Sequence, residues 1–375
     1  MAKNPEVYDV VIVGSGLTGL SLGAQCRQLG LKFLVLEARD VAGGSLRPNI
    51  TQFGRLPSSL GFIPESPLAR ERLEQLGTLL QDSLAGESLE QAPQIAKGGE
   101  LKPFVGFADL DLKSLELFSH FNQSQAIELK SQPDYWVEQL LEPLSSQIMT
   151  LAEVTSFEVS EGLVQAAVIN ADRKIMARSF VFTAPVSGVN ELFLGQDLNQ
   201  RSRQMLAKAK AWTAISLHLQ HQEPFPMTEP GLLFLLGTKT EPEPCVGRFF
   251  PQEKCSSWLG FVPSEFSEDS EFVGEALRHM KKLVRRAFQL DEGAIIGEKI
   301  TLSPETQGRI QLKTKVENQL PEIKNLYLAS PTLSSAQGLE AALDMAFKAT
   351  EWLQRELSLE SESLPTENLH VREQS

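Results

Sequence analysis

Residues 8–13, YDVVIV, form a short β-branched run, the pattern of a buried parallel strand. Apolar residues at 17, 20, 22, 24 and 29 then follow helical spacing, and the pattern stops near Gly30. A second apolar run, KFLVLE at 32–37, completes a βαβ unit of the usual ~30 residues. Residues 68–80 alternate charge and leucine at helical spacing, whereas 81–100, rich in Gln, Glu, Ser and Gly, predict a loop. Residues 134–148 read as an amphipathic helix. Residues 152–185 read as three or four short strands, with turns at Ser160–Gly162 and Asn170–Arg173. A strand is predicted over 211–219, followed by the proline-rich turn EPFPMTEPG at 223–231. A basic-faced helix spans 271–290, a strand 325–330 and a long helix 338–355. The polar tail 359–375 predicts disorder.

Composition narrows the class. The 375 residues are 42% hydrophobic and 22% charged, which suits a globular protein of about two domains. The net charge of −13 and pI near 5.0 exclude a basic face for nucleic acid. The three cysteines, Cys26, Cys245 and Cys255, show no CxxC spacing, so neither a metal site nor a disulfide framework is expected, and a reducing compartment fits. The N-terminus lacks an apolar signal core, and the longest apolar runs, such as GLLFLLG at 231–237, are too short for a bilayer. These features predict a cytoplasmic protein without a transmembrane segment. Its oligomeric state is open.

The chemistry begins between the first strand and helix. Gly14, Gly16 and Gly19 spell GxGxxG in GSGLTG, with Ser15, Leu17 and Thr18 between them. The first glycine permits a tight turn, the second lets the backbone approach a pyrophosphate, and the third lets helix and strand pack closely. The helix N-terminus offers free N–H groups and partial positive charge to phosphate. Glu37 lies eighteen residues after Gly19, at the end of the second strand, where a carboxylate can accept both hydroxyl protons of an adenosine ribose. Strand, helix, strand and acid together define a dinucleotide site.

The residues that follow, EARDVAGGSLR, carry Ala38, Arg39 and the pair Gly43–Gly44. Here the chain resembles the flavin-containing amine oxidase, protoporphyrinogen oxidase and phytoene desaturase superfamily, whose members show E-A-x(4)-GGR after the second strand. Ser45 stands where that family usually has Arg, and Arg47 is two residues further on. Further resemblance lies in RLPSSLGFIPESPLARERLEQLG, in the strand at Val154, and in SFVFTAPVSGVNELF at 179–193, which ends its strand at Ala184–Pro185. The resemblance implies noncovalent FAD, with the backbone at Val154 meeting the adenine. It also implies that a strand ending in Ala-Gly-Asp or Ala-Gly-Glu meets the cofactor near the C-terminus. This chain reads Ala329-Ser330-Pro331 there, then GLEAALDMAFKA from Gly338 and Leu339, with Ala341 and Ala346 replacing helix glycines. The fold is therefore expected to close, but without that acidic contact.

In that family, amine oxidases often carry a lysine on the strand before an EPF-like turn, and two aromatic walls. This chain has Ser216 or a neighbour in the lysine place, Gly338 in place of one aromatic, and EKITLSP without an aromatic in place of the other. No catalytic residue can be assigned. Phe104, Phe107, Phe118 and Phe121 are candidates for a substrate cavity or for core. The histidines show no ligand spacing, and His218 is expected at the surface.

The fold class is α/β: a Rossmann-type FAD-binding domain, discontinuous over 1–80, 150–205 and 295–358, with an inserted mixed-sheet α+β substrate domain from 81–149 and 206–294. The expected function is hydride transfer from an apolar small or medium organic substrate to flavin N5. Two alternatives stand beside it: an amine oxidase with a non-standard pocket, and a catalytically silent binding or scaffold protein.

Overall fold

The computed structural model describes residues 6–363 apart from 53, 91–92, 108–111, 196, 224–230, 251, 253, 292, 309, 311, 313 and 315–316. Residues 224–230 of the expected turn and the end of the tail lie outside the described residues.

The chain opens with β1 (Val7–Val13), α1 (Leu17–Gln28) and β2 (Phe33–Leu36). A hairpin of β3 (Asn49–Thr51) and β4 (Gly54–Leu56) leads to β5 (Phe62–Pro64) and α2 (Pro67–Leu80). Helix α2 starts where its pattern predicts: Ser66 Oγ caps the Ala69 N–H at 2.9 Å, and proline occupies the first turn, where no N–H is needed. The stretch expected as a loop instead forms β6 (Ala85–Glu90) and β7 (Gln94–Lys97), followed by β8 (Glu100–Pro103). Its polar side chains hid it, because its residues are half-buried or exposed and show no clean alternation. Helix α3 (Leu115–Ser119), β9 (Gln125–Leu129), α4 (Pro133–Leu144) and β10 (Ile148–Met149) follow.

Three strands then fill 152–185: β11 (Val154–Ser160), β12 (Leu163–Ile169) and β13 (Arg173–Phe182). Beyond α5 (Gln200–Ala207) come β14 (Trp212–His221), β15 (Leu233–Leu235), β16 (Cys245–Phe250), β17 (Cys255–Pro263), α6 (Ser270–Phe288) and β18 (Ile295–Gln307). The chain returns through β19 (Leu326–Leu328) to α7 (Gly338–Ser363). Helix α7 thus runs past residue 355 and through the first residues of the expected tail.

Two seven-stranded sheets organise the molecule. In the first, β10, β2, β1, β13 and β19 run parallel, and β12 and β11 extend the sheet antiparallel from β13. Strand β1 is fully buried from Val10 to Val13, the signature of a parallel strand covered on both faces. Helix α7 packs on α1 and α2, and α4 packs on α1. Residues 133–149 therefore belong to this unit, although they were expected with the substrate domain: the α4 residues Trp136, Val137 and Leu140 join its core.

The second sheet runs β18-β14-β17-β16-β15-β7-β8. Strand β18, expected in the nucleotide domain, pairs along the length of β14 instead. Alternation on β14 decides what each face of this sheet meets. Ile215, Leu217 and Leu219 pack under α6 with Met280, Leu283 and Val284. Ala214 faces the other way, into a cluster with Leu60, Phe62, Phe118, Phe234 and Phe261. That cluster joins the second sheet to the segment following the hairpin. Phe104 stacks on Phe234 at 4.2 Å, Phe107 meets Phe104 edge-on at 4.9 Å, and Phe118 meets Phe261 at 4.9 Å. Phe121 packs against the same cluster. Of the four candidate phenylalanines Phe118 is thus buried core, while Phe104, Phe107 and Phe121 are half-buried against the same cluster.

Candidate functional site

The turn from β1 to α1 shows why three glycines sit there. Gly14 has φ +106°, and a Cβ on it would lie 2.7 Å from Thr183 Oγ1. A Cβ on Gly19 would lie 2.0 Å from the Gly14 carbonyl oxygen, so only glycine lets α1 come so close to the turn. Gly16 differs: nothing lies within 4 Å of its Cβ position. That open side is where a pyrophosphate can approach the start of α1, which has no acidic residue in its first turn.

Glu37 is buried at the end of β2. Its Oε2 accepts from the Ser15 N–H at 3.1 Å and from Ser15 Oγ at 2.5 Å, while Oε1 accepts from the Arg39 N–H at 2.9 Å. The carboxylate is thus aimed, and it retains acceptor capacity for further hydroxyl groups. Gly43 and Gly44 both have positive φ, +113° and +61°. The Gly43 N–H donates to the Ser15 carbonyl at 3.0 Å, and a Cβ on Gly44 would lie 2.9 Å from Gly16 Cα. The Gly-Gly loop therefore lies directly against the β1–α1 turn. Ser45 follows in a short helical turn, half-buried, and Ala38 and Arg39 are exposed.

The remaining candidates lie along the same edge of the first sheet. The Ala152 N–H donates to the Glu37 carbonyl at 2.8 Å, which brings the start of β11 at Val154 beside the end of β2. Ala184 and Pro185 follow β13, and the Ala184 nitrogen lies 3.4 Å from the Gly14 Cβ position. Thr183, which no motif marks, is the hinge of this corner: its Oγ1 donates within reach of the Val13 and Gly14 carbonyls, at 2.9 and 3.1 Å. Its one sequence signal is its place before Ala184–Pro185. Leu17 is buried at the start of α1, and Thr18 Oγ1 donates to the Ala342 carbonyl on α7 at 3.0 Å.

At the C-terminal side, Ser330 is fully buried and its hydroxyl pairs with that of Thr332 at 3.1 Å. Gly338 (φ +61°) and the half-buried Leu339 start α7. Glu340, in the first turn, accepts from Ser66 Oγ at 2.7 Å, tying α7 to the cap of α2, and burial raises its pKa. The residues around α1 and β2 therefore fit a dinucleotide, and the acid implied near 330 is replaced by a hydroxyl already engaged within the protein.

Ser216 is half-buried on the face of β14 opposite α6, between Leu259 on β17 and Thr301 on β18. His218, two residues on, is buried rather than at the surface; its Nδ1 bonds Ser257 Oγ at 2.8 Å. His221 is buried as well, its Nε2 on Ser256 Oγ at 2.8 Å. Burial lowers both imidazoles to about 4, with Lys299 adding to the effect on His218. The local pattern that made His218 look solvent-facing carried no information about the hairpin beside it. Among the described residues no cluster of His, Cys, Asp or Glu is arranged to hold a metal. Among them, too, no helix is long and apolar enough to cross a membrane.

Comparison with known proteins agrees with this geometry. Residues 12–59 match the NAD(P)-binding Rossmann-like domain family. No curated protein sequence matches the chain. Among solved structures, an oxidoreductase from Methanosarcina mazei aligns with a TM-score of 0.69 at 14% identity, over 91% of this chain and 99% of its own. The chain therefore shares the fold of this oxidoreductase, with a Rossmann-like nucleotide unit and a second mixed sheet. Amine oxidases share this fold as well: putrescine oxidase bound to putrescine aligns at 0.65 with 13% identity, covering 94% of this chain and 100% of its own. Cyclohexylamine oxidase from Brevibacterium oxydans aligns at 0.64 with 12% identity over the same shares.

Proposed function

We propose that this protein binds FAD noncovalently and oxidises an apolar small or medium organic molecule. The observation that carries the reading is the cradle at the β1–α1 turn: an open Gly16, a Gly-Gly loop against it, and a buried Glu37 held by Ser15. In this reading Gly14, Ser15, Gly16, Leu17, Thr18 and Gly19 receive the pyrophosphate, and Glu37 accepts from the adenosine ribose. Ala38, Arg39, Gly43, Gly44 and Ser45 line the path towards the flavin. Val154, Ala184, Pro185, Ser330, Gly338 and Leu339 complete the surroundings. When bound, the flavin supplies the redox step by accepting hydride at N5. The protein's contribution is then orientation and exclusion of water, which suits a site without an assigned acid or base. The burial of Cys26, Cys245 and Cys255 and the acidic charge suit the cytoplasm.

A second reading, amine oxidation, is favoured by the structural likeness to putrescine and cyclohexylamine oxidases. Ser216 and the absence of an aromatic at Gly338 weigh against it. Acid precipitation of the purified protein and a spectrum of the supernatant test the first reading. Released FAD is the expected result. A colourless protein that also fails to take up added FAD would overturn it and leave a binding or scaffold role.

A further inference from the structure

A cavity of about 250 Å³ lies where the β3–β4 hairpin meets the outer end of the second sheet. The hairpin contributes Thr51, Gln52 and Leu56, and the sheet contributes His218, Gln220 and Lys299. Strand register explains the last group. His218 on β14 pairs with Lys299 on β18 and with Ser257 on β17, and Ser257 pairs with Arg248 on β16. Directly paired residues share a face, so Lys299, His218, Ser257 and Arg248 form one polar row across four strands.

The charge in this row has one sign. Lys299 makes no ion pair among the described residues. Glu298 also borders the cavity, but its carboxylate is engaged by Lys281 of α6 at 2.7 Å, on the opposite face. The hairpin's Arg55 is tied to Asp134 and Glu138. Arg248 donates to the Leu60 carbonyl at 2.9 Å and lies over the rings of Phe62 and Phe250. Neither β14 nor β17 places a carboxylate beside His218. His218 itself is 5% exposed; Ser257 holds its Nδ1, and Nε2 has no partner among the described residues.

We propose that this cavity binds the carboxylate of a small organic monoanion, between the Lys299 ammonium and the His218 ring. Arg248 does not line the cavity, and the single fixed positive charge that does, Lys299, matches a monoanion better than a phosphate dianion. The cavity is below the size of a usual drug-sized pocket, which limits the ligand to a few carbons. The depressed basicity of His218, caused by burial and by Lys299, adds a consequence: an anion beside the ring favours its protonated form, so binding takes up a proton and tightens as pH falls. None of the residues lining this cavity belongs to the β1–α1 cradle, so its binding can be read on the protein without flavin.

Butyrate is a suitable probe, with 1-butanol as the uncharged control. The full chain is labelled at histidine Cε1, and the His218 signal is assigned by its loss in His218→Gln. Butyrate should shift that signal saturably and 1-butanol should not. Lys299→Ala, at an exposed position whose loss spares the fold, should weaken binding about tenfold. Affinity should rise as pH falls from 8 to 6. No saturable shift, an unchanged affinity in Lys299→Ala, or a response to inorganic phosphate but not to butyrate would each overturn the proposal.

Discussion

Ser15 and Glu37 are joined twice: the backbone N–H and the hydroxyl of Ser15 both reach the same carboxylate oxygen, at 3.1 and 2.5 Å. The pair locks the turn after β1 to the end of β2, and the Glu37 side chain is thereby oriented before any ligand arrives. Glu37→Ala should weaken FAD by about 1.5–3 kcal/mol, the scale of hydrogen bonds to a charged group. Fluorescence titration of the apoprotein measures it. An unchanged affinity would remove Glu37 from the cofactor site.

Two glycines three residues apart should respond in opposite ways. Gly19→Ala drives a methyl group into the Gly14 carbonyl and should lower stability by about 1–3 kcal/mol. Gly16→Ala meets open space in the protein, so its melting temperature should hold while flavin uptake falls. Thermal melts with and without FAD separate the two effects. Equal flavin binding in Gly16→Ala would show that the open side is not used.

Amines should be poor substrates. Ser216 cannot act as an amino group, and neither Gly338 nor the 298–304 segment supplies an aromatic wall. An aromatic face contributes about 0.5–2 kcal/mol to a bound cation, so losing two walls lowers selectivity tenfold or more. Anaerobic mixing with primary, secondary and polyamines should bleach the flavin slowly or not at all. Rapid bleaching, with peroxide formed in air, would put the amine oxidase reading first.

Stability should fall on acidification through the histidines of β14. His218 and His221 have folded pKa values of about 4, below the ordinary 6.5. Between these values the unfolded chain binds protons that the folded chain does not. Their contribution is therefore complete above pH 6.5 and is lost as pH falls towards 4, by ~1.4 kcal/mol per residue for each pH unit crossed in that window. Urea midpoints at pH 7.5 and 5.5 should differ in that direction, and His218→Gln should reduce the difference. A midpoint indifferent to pH in this window would place both imidazoles in contact with water.

Local signals were sufficient for the β1–α1–β2 unit. Its strands are continuous apolar runs, its glycines occupy positions where a Cβ is excluded, and Glu37 falls at the strand end, so pattern and sterics point the same way. The helices α2 and α6 were legible for a similar reason, being amphipathic with capping residues at Ser66 and Asp269. Strands β6 and β7 were not legible, because their neighbours rather than their own side chains hold them in sheets.

What the sequence by itself determined is thus the nucleotide half-site and the order of elements around it. Only the tertiary structure decided which sheet β18 joins, that α4 covers α1, and that the four candidate phenylalanines gather at one apolar cluster. It also decided that His218 is buried beside Lys299, 81 positions away in the chain. Such pairings depend on strand register and on which face a second element covers. Those are long-range choices, settled by the packing of whole sheets, and no short window of residues encodes them.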